Sequence, residues 1–239
     1  MRGDYLKTMK KFNSRKLVED IIEWDVDTWK KSLFFWNTFL KGMKKARVLE
    51  VGCMNGGLSL FFALKKYDIV CSDHRGPRQK AYDKHKKYGV MDTIGYKDID
   101  ALNIDFPDET FDIVCFKSVL GGIGRNNSFA NQKRAINEMR RVLKPGGKIL
   151  FAENLRATGL HMFLRNEFIR GRRSWRYLSF EEIPLLFNEF TDLELQFYGF
   201  FSVLGRSEFQ RSLLHCLDII TNSFIKDKCK YVVFGCATK

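Results

Sequence analysis

Val48-Leu49-Glu50-Val51-Gly52-Cys53-Met54-Asn55-Gly56-Gly57 is the stretch that decides the fold. A short apolar run ends there in a turn that carries glycines, and a helical pattern from Leu58 to Lys66 follows directly. Glycine in a strand-to-helix turn lets a ligand reach bare backbone N–H groups at the carboxyl edge of a sheet. Tight turns also need glycine for structural reasons, so the stretch by itself leaves both interpretations open.

Outward from this turn, short apolar runs alternate with helical patterns. A long helix is predicted from about Asn127 to Leu143. The predicted strands are 48–51, 69–72, 94–97, 111–116, 148–152, 193–201 and 231–237. Strands that alternate with helices imply right-handed crossovers and a sheet covered by helices on both faces. The sequence therefore predicts the α/β class, with a doubly wound, mainly parallel, seven-stranded sheet.

Two further segments are set apart by their composition. Residues 1–45 are predicted to form an N-terminal helical extension that packs on the main domain, lies on a membrane surface, or does both. Residues 46–239 form the main domain, and residues 155–178 are predicted to be an Arg-rich substrate insertion after the fifth strand.

Composition excludes several classes of protein. The 239 residues are 45% hydrophobic, which argues against a disordered chain. The sequence contains no run of eighteen uncharged apolar residues, so no membrane-spanning helix is predicted. The first residues lack the apolar core of a secretory signal, so a cytoplasmic location is expected, with peripheral contact with the inner face of the membrane left open. The six cysteines include no C-x-x-C pair, and no metal site is predicted.

The charge balance is strongly basic. Lys and Arg number 41 against 28 Asp and Glu, which gives a net charge of +13. Such a balance favours acidic partners: nucleic acid, an anionic membrane, or a phosphorylated or carboxylated substrate. A solvated basic surface is the alternative.

An acid also ends the second predicted strand. Asp73 follows Glu50 by about twenty-three residues, and an acid at this place in a doubly wound sheet can bind both hydroxyls of a ribose. The alternative is that Asp73 caps a helix.

Three stretches carry a resemblance to a known family. Glu50, Gly52 and Gly56 fit an acid-x-Gly-x-Gly-x-Gly pattern. Residues 100–114 contain Asp-Ala, Phe-Pro-Asp and Phe-Asp-Ile-Val, and residues 141–148 read Arg-Val-Leu-Lys-Pro-Gly-Gly-Lys. In this order they resemble the class I S-adenosylmethionine-dependent methyltransferases over about residues 45–153. The resemblance implies a Rossmann-like fold, methyltransferase activity and S-adenosylmethionine as the cofactor.

The same resemblance implies a set of cofactor-binding residues. Gly52 and Gly56 are expected near the methionine part, Asp73 at the ribose, Asp100 with the Ala101 backbone at the adenine, and Lys117 near the methionine end through its backbone. The full set is Glu50, Gly52, Cys53, Gly56, Asp73, Asp100, Ala101 and Lys117.

Two positions depart from the family pattern. Met54 replaces the usual second glycine and either crowds the cofactor or lines its pocket. Gly121-Gly122 stands where relatives often have a polar residue, and the pair is expected to leave room for a bulky acceptor.

Catalytic and substrate residues are predicted in the second half of the chain. A hydroxyl acceptor needs proton removal, whereas a carboxylate does not, and His161, Glu153 and Asn154 are the candidate bases. Arginines cluster in the insertion, where bidentate hydrogen bonds suit phosphate or carboxylate. They are Arg156, Arg165, Arg170, Arg172, Arg173 and Arg176. Arg165, Arg176 and Tyr177 are the predicted substrate-binding residues.

A second, weaker resemblance concerns methyltransferases of bacterial surface-polysaccharide biosynthesis. It is carried by short motifs, residues 23–29, 152–155, 175–177 and 199–200. The predicted function is methylation of a small or glycan-type, anionic acceptor. Methylation of nucleic acid is a less favoured alternative, because Lys117-Ser118-Val119-Leu120 lacks the Asn/Asp-Pro-Pro-aromatic stretch of many base methyltransferases. A non-catalytic module of the same fold is the third reading, and the oligomeric state is left open.

Overall fold

The computed structural model describes residues 14–43, 45–168 and 174–239. Three arginines of the predicted Arg-rich insertion, Arg170, Arg172 and Arg173, lie outside the described residues, as do residues 1–13 and Lys44 of the predicted N-terminal extension.

A seven-stranded sheet with the order β3-β2-β1-β4-β5-β7-β6 forms the centre of the molecule. The strands are β1 Arg47–Val51, β2 Asp68–Asp73, β3 Ile94–Asp98, β4 Phe111–Lys117, β5 Leu143–Asn154, β6 Thr191–Tyr198 and β7 Val232–Thr238. The first five strands pair in parallel, and β7 is antiparallel to both β5 and β6. The predicted α/β class, the seven strands and the mainly parallel order are confirmed.

Helices cover both faces of this sheet. In the described ranges they are α1 Arg15–Ile22, α2 Val26–Phe39, α3 Gly57–Leu64, α4 Gln79–Lys87, α5 Leu120–Ile123, α6 Phe129–Val142, α7 Gly159–Phe168, α8 Glu182–Leu186 and α9 Glu208–Thr221. None of the described helices is long and apolar enough to cross a membrane. Helix α6 agrees with the long helix predicted from the sequence.

The core divides into two apolar clusters, one on each face. Along β1, Val48 belongs to one cluster and Leu49 to the other, because side chains alternate across a strand. Helices α1, α2 and α3 cover the first face, and α6 and α8 cover the second. Such two-sided burial explains why the strands read as continuous apolar runs.

The two N-terminal helices contribute to the first cluster. Trp29 and Trp36 of α2 are fully buried, and the indole N–H of Trp36 donates to the Gly235 carbonyl oxygen at 3.2 Å. Residues 14–39 therefore pack on the main domain, as one of the two alternatives for this segment predicted. The domain boundary at residue 46 stays a prediction.

Helices α1 and α3 come into close backbone contact at one glycine. Gly57 opens α3, and a Cβ added there would lie 2.0 Å from the Ile21 carbonyl oxygen. Only glycine therefore allows α1 to lie against the start of α3. This contact fixes the end of α1 beside the turn that follows β1.

We expect Gly57→Ala to lower the free energy of unfolding by about 1–3 kcal/mol, because a methyl group has to displace backbone. Urea denaturation followed by circular dichroism measures this loss. Gly159→Ala is the matched control, since its Cβ meets nothing within 4 Å. Equal denaturation midpoints for the two variants would show that α1 yields without cost.

Candidate functional site

A cleft opens at the carboxyl ends of β1, β2 and β4. It consists of two adjoining cavities that share Gly52, Asp73 and Val119. The outer cavity, of about 430 Å³, is lined by Val51, Gly52, Asp73, His74, Ile99, Asp100, Ala101, Leu102, Val119, Gly122, Ile123 and Arg125. The inner cavity, of about 340 Å³, is lined by Ile21, Glu23, Trp24, Glu50, Gly52, Cys53, Met54, Gly57, Leu58, Asp73, Arg78, Lys117, Ser118, Val119 and Trp175.

The turn after β1 forms the wall between the cavities. Gly52 and Gly56 have φ values of +70° and +74°, the left-handed region that glycine enters without strain. A Cβ at Gly52 would lie 2.7 Å from a methyl group of Val119, and one at Gly56 would lie 2.6 Å from the His85 ring. Both glycines are thus required by close packing as well as by conformation.

Met54 stands where the family pattern has its second glycine. Its φ is also positive, at 53°, and its half-exposed side chain lines the inner cavity. Its backbone N–H donates to Asp73 Oδ2 at 2.7 Å. The sequence left open whether Met54 crowds the cofactor or lines its pocket. In the structure its side chain lines the inner cavity.

Two of the predicted acids face the outer cavity. Asp73 uses Oδ2 for the Met54 N–H, and its Oδ1 makes no hydrogen bond to any described residue. Asp100 accepts from the Leu102 N–H at 2.9 Å through Oδ1, beside the buried Ala101. Each acid thus keeps an oxygen for a ligand, and the apolar walls between them suit a flat ring.

Glu50 lies beneath the turn and is almost completely buried. Its carboxylate accepts from the Ser59 backbone N–H at 2.7 Å and from the Ser59 hydroxyl. Burial raises the pKa of Glu50 to about 7, although the Ser59 hydrogen bonds oppose the shift. The neighbouring Cys53 is buried as well, and its contact with Cys71 and its burial raise the pKa of this thiol, so it stays protonated.

Lys117 ends β4 and lines the inner cavity. Its ammonium group lies 5.3 Å from the centre of the Trp29 ring and makes no hydrogen bond or ion pair with any described residue. Burial lowers the pKa of this ammonium, while Glu23 and Glu50 oppose the shift. The nearby Glu23 carboxylate is already paired with Lys84 Nζ at 2.6 Å. Lys117 thus brings an uncompensated cation to the cavity.

Glu153 and Asn154, two candidate bases, hold the turn after β4. Glu153 accepts from the backbone N–H groups of Val119 and Leu120, both at 2.8 Å, and from that of Asn154 at 2.9 Å. The Asn154 amide donates to the Ser118 hydroxyl at 2.7 Å. Both side chains are buried and engaged, and neither borders the two cavities. Their catalytic role stays a prediction without support from this geometry.

His161, the third candidate base, lies in a different cavity. Its Nε2 donates to the Phe200 carbonyl oxygen at 2.8 Å, and its Nδ1 lies 2.6 Å from the Thr158 hydroxyl. Burial lowers the pKa of the imidazole, which keeps it neutral. The structure does not bring His161 to the cleft, because these bonds hold its ring between α7 and the loop after β6.

The predicted substrate residues of the insertion are also engaged elsewhere. The Arg165 guanidinium donates to the Leu155 carbonyl oxygen and lies 4.3 Å from the centre of the buried Tyr177 ring. Arg176 forms an ion pair with Glu182 and donates to the Gln132 amide oxygen at 2.6 Å. None of the three borders the cleft, so they tie the ends of the insertion to the domain.

From this part of the chain, Trp175 lines the cleft, whereas Arg165 and Arg176 do not. A Cβ at Gly121 would lie 1.6 Å from its indole nitrogen, and one at Gly122 would lie 3.2 Å from its ring. The expectation that the two glycines leave room for a bulky acceptor is therefore wrong, because the indole fills that space. The backbone N–H of Arg176 donates to the Gly121 carbonyl oxygen at 3.0 Å and fixes the indole there.

Sequence reasoning missed the wall formed by the N-terminal helices. Glu23 and Trp24 line the inner cavity from the break between α1 and α2. Glu23 has a φ of 75° and Asp25 a φ of 47°, so the break is made without glycine. The only signal was the polar interruption of two helical patterns, which does not reveal what the break faces.

Comparisons with known proteins agree with this geometry. Residues 49–151 match the family model described as a methyltransferase domain. Residues 49–151 are therefore assigned to a class I S-adenosylmethionine-dependent methyltransferase domain.

A ubiquinone/menaquinone biosynthesis C-methyltransferase of Idiomarina loihiensis is 28% identical over 129 residues, which cover 52% of this chain and 48% of that protein. The chain thus spans about half the length of the curated relatives it matches.

Two solved structures share the fold. A Haemonchus contortus phosphoethanolamine N-methyltransferase, in complex with phosphomonomethylethanolamine and S-adenosylhomocysteine, has a TM-score of 0.62 at 19% identity and covers 88% of this chain and 52% of its own. The YcgJ protein of Bacillus subtilis has a TM-score of 0.60 at 17% identity and covers 88% of this chain and 98% of its own.

The cofactor of this family, S-adenosylmethionine, suits the residues of the cleft. The free Oδ1 of Asp73 is an acceptor for a ribose hydroxyl, and Asp100 and Ala101 border an apolar space for an adenine ring. Gly52, where a side chain would meet Val119, lies between this space and the inner cavity. The residues fit an expected placement in which the methionine part extends past Gly52 towards the inner cavity.

We expect Asp73→Ala to weaken binding of S-adenosylhomocysteine at least tenfold. The change removes a charged acceptor, worth about 1.5–3 kcal/mol per hydrogen bond, and frees the Met54 N–H. Isothermal titration calorimetry measures the dissociation constant. Asp105→Ala, a change at an exposed acid outside both cavities, should leave it within twofold. A similar constant for both variants would remove Asp73 from the ribose site.

Glu50→Gln should stabilise the free protein at alkaline pH. Because the folded-state pKa of Glu50 is about 7, above its ordinary 4.5, the wild type loses stability as the pH rises through that window. The variant lacks this loss, so its advantage should grow by about 1–3 kcal/mol from pH 5 to pH 8. Urea denaturation at both pH values tests it, with the exposed Glu194→Gln as control. A pH-independent difference would contradict the assignment.

Proposed function

We propose that the protein transfers a methyl group from S-adenosylmethionine to a small anionic acceptor, including one of glycan type, bound in the inner cavity. The observation that carries this proposal is the uncompensated ammonium group of Lys117. Bound S-adenosylmethionine supplies an electrophilic methyl group. The protein's part is to align the acceptor with it.

The case for an anion rests on charge balance at Lys117. A cation in a partly buried site is costly unless an opposite charge pairs with it. Among the acids that line this cavity, Glu23 is paired with Lys84, Glu50 accepts from Ser59, and Asp73 accepts from the Met54 N–H. An acceptor phosphate or carboxylate would supply the missing charge, as would the methionine carboxylate of the cofactor, and the cofactor affinity of a Lys117 variant separates the two. Either anion would also raise the pKa of Lys117 back towards its ordinary value.

The walls of the inner cavity favour a small acceptor. The cavity has a volume of about 340 Å³. Two tryptophans that are far apart in the sequence, Trp24 and Trp175, line it. Aromatic side chains offer flat apolar contact to a sugar or to the carbon frame of a small acid. His161, Glu153 and Asn154 are engaged elsewhere, so we assign proton removal to none of them.

The relatives suggest which acceptors to try first. One is named for ubiquinone and menaquinone biosynthesis, and a fold neighbour is titled a phosphoethanolamine N-methyltransferase. Phosphoethanolamine, glucuronic acid and a quinone precursor therefore form the initial panel, with RNA added for the nucleic-acid alternative. Transfer of radiolabelled methyl from S-adenosylmethionine is the readout. Transfer to RNA alone, or to an uncharged quinone precursor alone, would overturn the proposal of a small anionic acceptor.

With an accepted anionic probe, Lys117→Met should raise its Michaelis constant about ten- to hundredfold, because a charge-assisted contact of about 1.5–3 kcal/mol is lost. Cofactor affinity should stay within twofold by calorimetry. Lys80→Met removes an exposed lysine of α4 as the control. If Lys117→Met instead weakens the cofactor and spares the acceptor, Lys117 holds the methionine carboxylate.

A further inference from the structure

Helix α9, Glu208–Thr221, is amphipathic in an unusual sense, because it turns its polar side inward. Glu208 accepts from the backbone N–H groups of Asp25 and Val26, at 2.9 and 3.2 Å, and so caps helix α2. Asp218 accepts from the N–H groups of residues 200–202. Between them, Ser212 donates to Asp27 at 2.6 Å. The inner side of α9 is therefore held by hydrogen bonds rather than by apolar packing.

The outer side of the same helix is apolar and exposed. Phe209, Leu213, Leu217 and Ile220 recur at helical spacing, and Phe224 follows just after the helix, with exposed fractions of 78, 63, 46, 68 and 84%. Ile219 beside them is 60% exposed. Both acids of the helix point inward, so this stripe carries no charge. An uncharged stripe of this size on a described surface indicates a partner.

Basic residues flank the stripe at both ends. Arg206 precedes the helix, and Lys226 and Lys228 follow it, and all three are exposed. An apolar face flanked by Lys and Arg is the pattern of helices that lie in the plane of an anionic membrane surface. Long basic side chains reach the headgroups while the apolar side chains enter the acyl boundary.

The stripe is one face of a single helix of fourteen residues, about 21 Å long. A lipid surface suits such a face because it needs no partner of complementary shape. Every apolar side chain that enters the lipid contributes separately.

We infer that the outer face of α9 docks the protein on an anionic lipid surface, peripherally and without spanning it. Helix α7 borders the same cavity as residues 203–206 and exposes Leu160 and Phe163, which lie near the start of α9 in the fold. This inference stands apart from the proposed reaction, since none of the stripe residues lines the cleft.

Vesicle sedimentation tests the inference with the full chain. The probes are vesicles of phosphatidylcholine alone and of phosphatidylcholine with about one third phosphatidylglycerol. We expect binding to the anionic vesicles, weakened by high salt. Leu213→Gln together with Ile220→Gln should reduce the partition coefficient at least tenfold. Both side chains are exposed, so folding should be retained, and an unchanged dissociation constant for S-adenosylhomocysteine verifies this.

Leu185→Gln is the matched control, because Leu185 is 57% exposed on α8, over the other face of the sheet. Lys226→Gln with Lys228→Gln should remove the preference for anionic vesicles. Equal sedimentation of the wild type and the α9 double variant would overturn the inference. So would a wild-type dimer that dissociates in the double variant while neither protein binds vesicles, because the face would then join two copies.

Discussion

The shape of the cleft depends on one buried carboxylate, that of Glu153. It accepts three backbone N–H groups, those of Val119, Leu120 and Asn154. Two of these donors, Val119 and Leu120, belong to the turn after β4, where the ladder of sheet hydrogen bonds stops, and the third, Asn154, ends β5. Without the carboxylate they would be buried and unpaired, and each would cost about 1–3 kcal/mol.

The rest of the site follows from this turn. Val119 borders both cavities and packs on Gly52, which sets the separation between the turns after β1 and β4. Leu120 begins α5, and α5 carries the glycines against which Trp175 lies. The carboxylate of Glu153, at the end of β5, thus holds the turn that borders both the outer and the inner cavity.

The sequence predicts well which residues meet at the outer cavity, because the patterns that place them are local. A strand, a glycine turn and an acid at the next strand end follow from short-range patterns, and parallel pairing brings their ends to one edge. Asp73 and Asp100 needed no knowledge of distant contacts to be placed there.

The acceptor side depends on partners far along the chain. His161 is held by a carbonyl oxygen thirty-nine residues later, and Arg176 by Gln132, forty-four residues earlier. An arginine cluster reads the same whether its members meet a ligand, water or a buried carbonyl oxygen. The fit of Trp175 on Gly121 is equally invisible, because it joins two segments that no motif connects.

The wall of the inner cavity is built from three separate parts of the chain. Glu23 and Trp24 come from before the matched methyltransferase region, residues 49–151, and Trp175 comes from after it. Substitutions in these flanking segments can therefore reshape the inner cavity while the residues of the matched region stay unchanged. Any side chain at Gly121 would require a smaller residue than Trp at position 175, because the indole occupies the place of its Cβ.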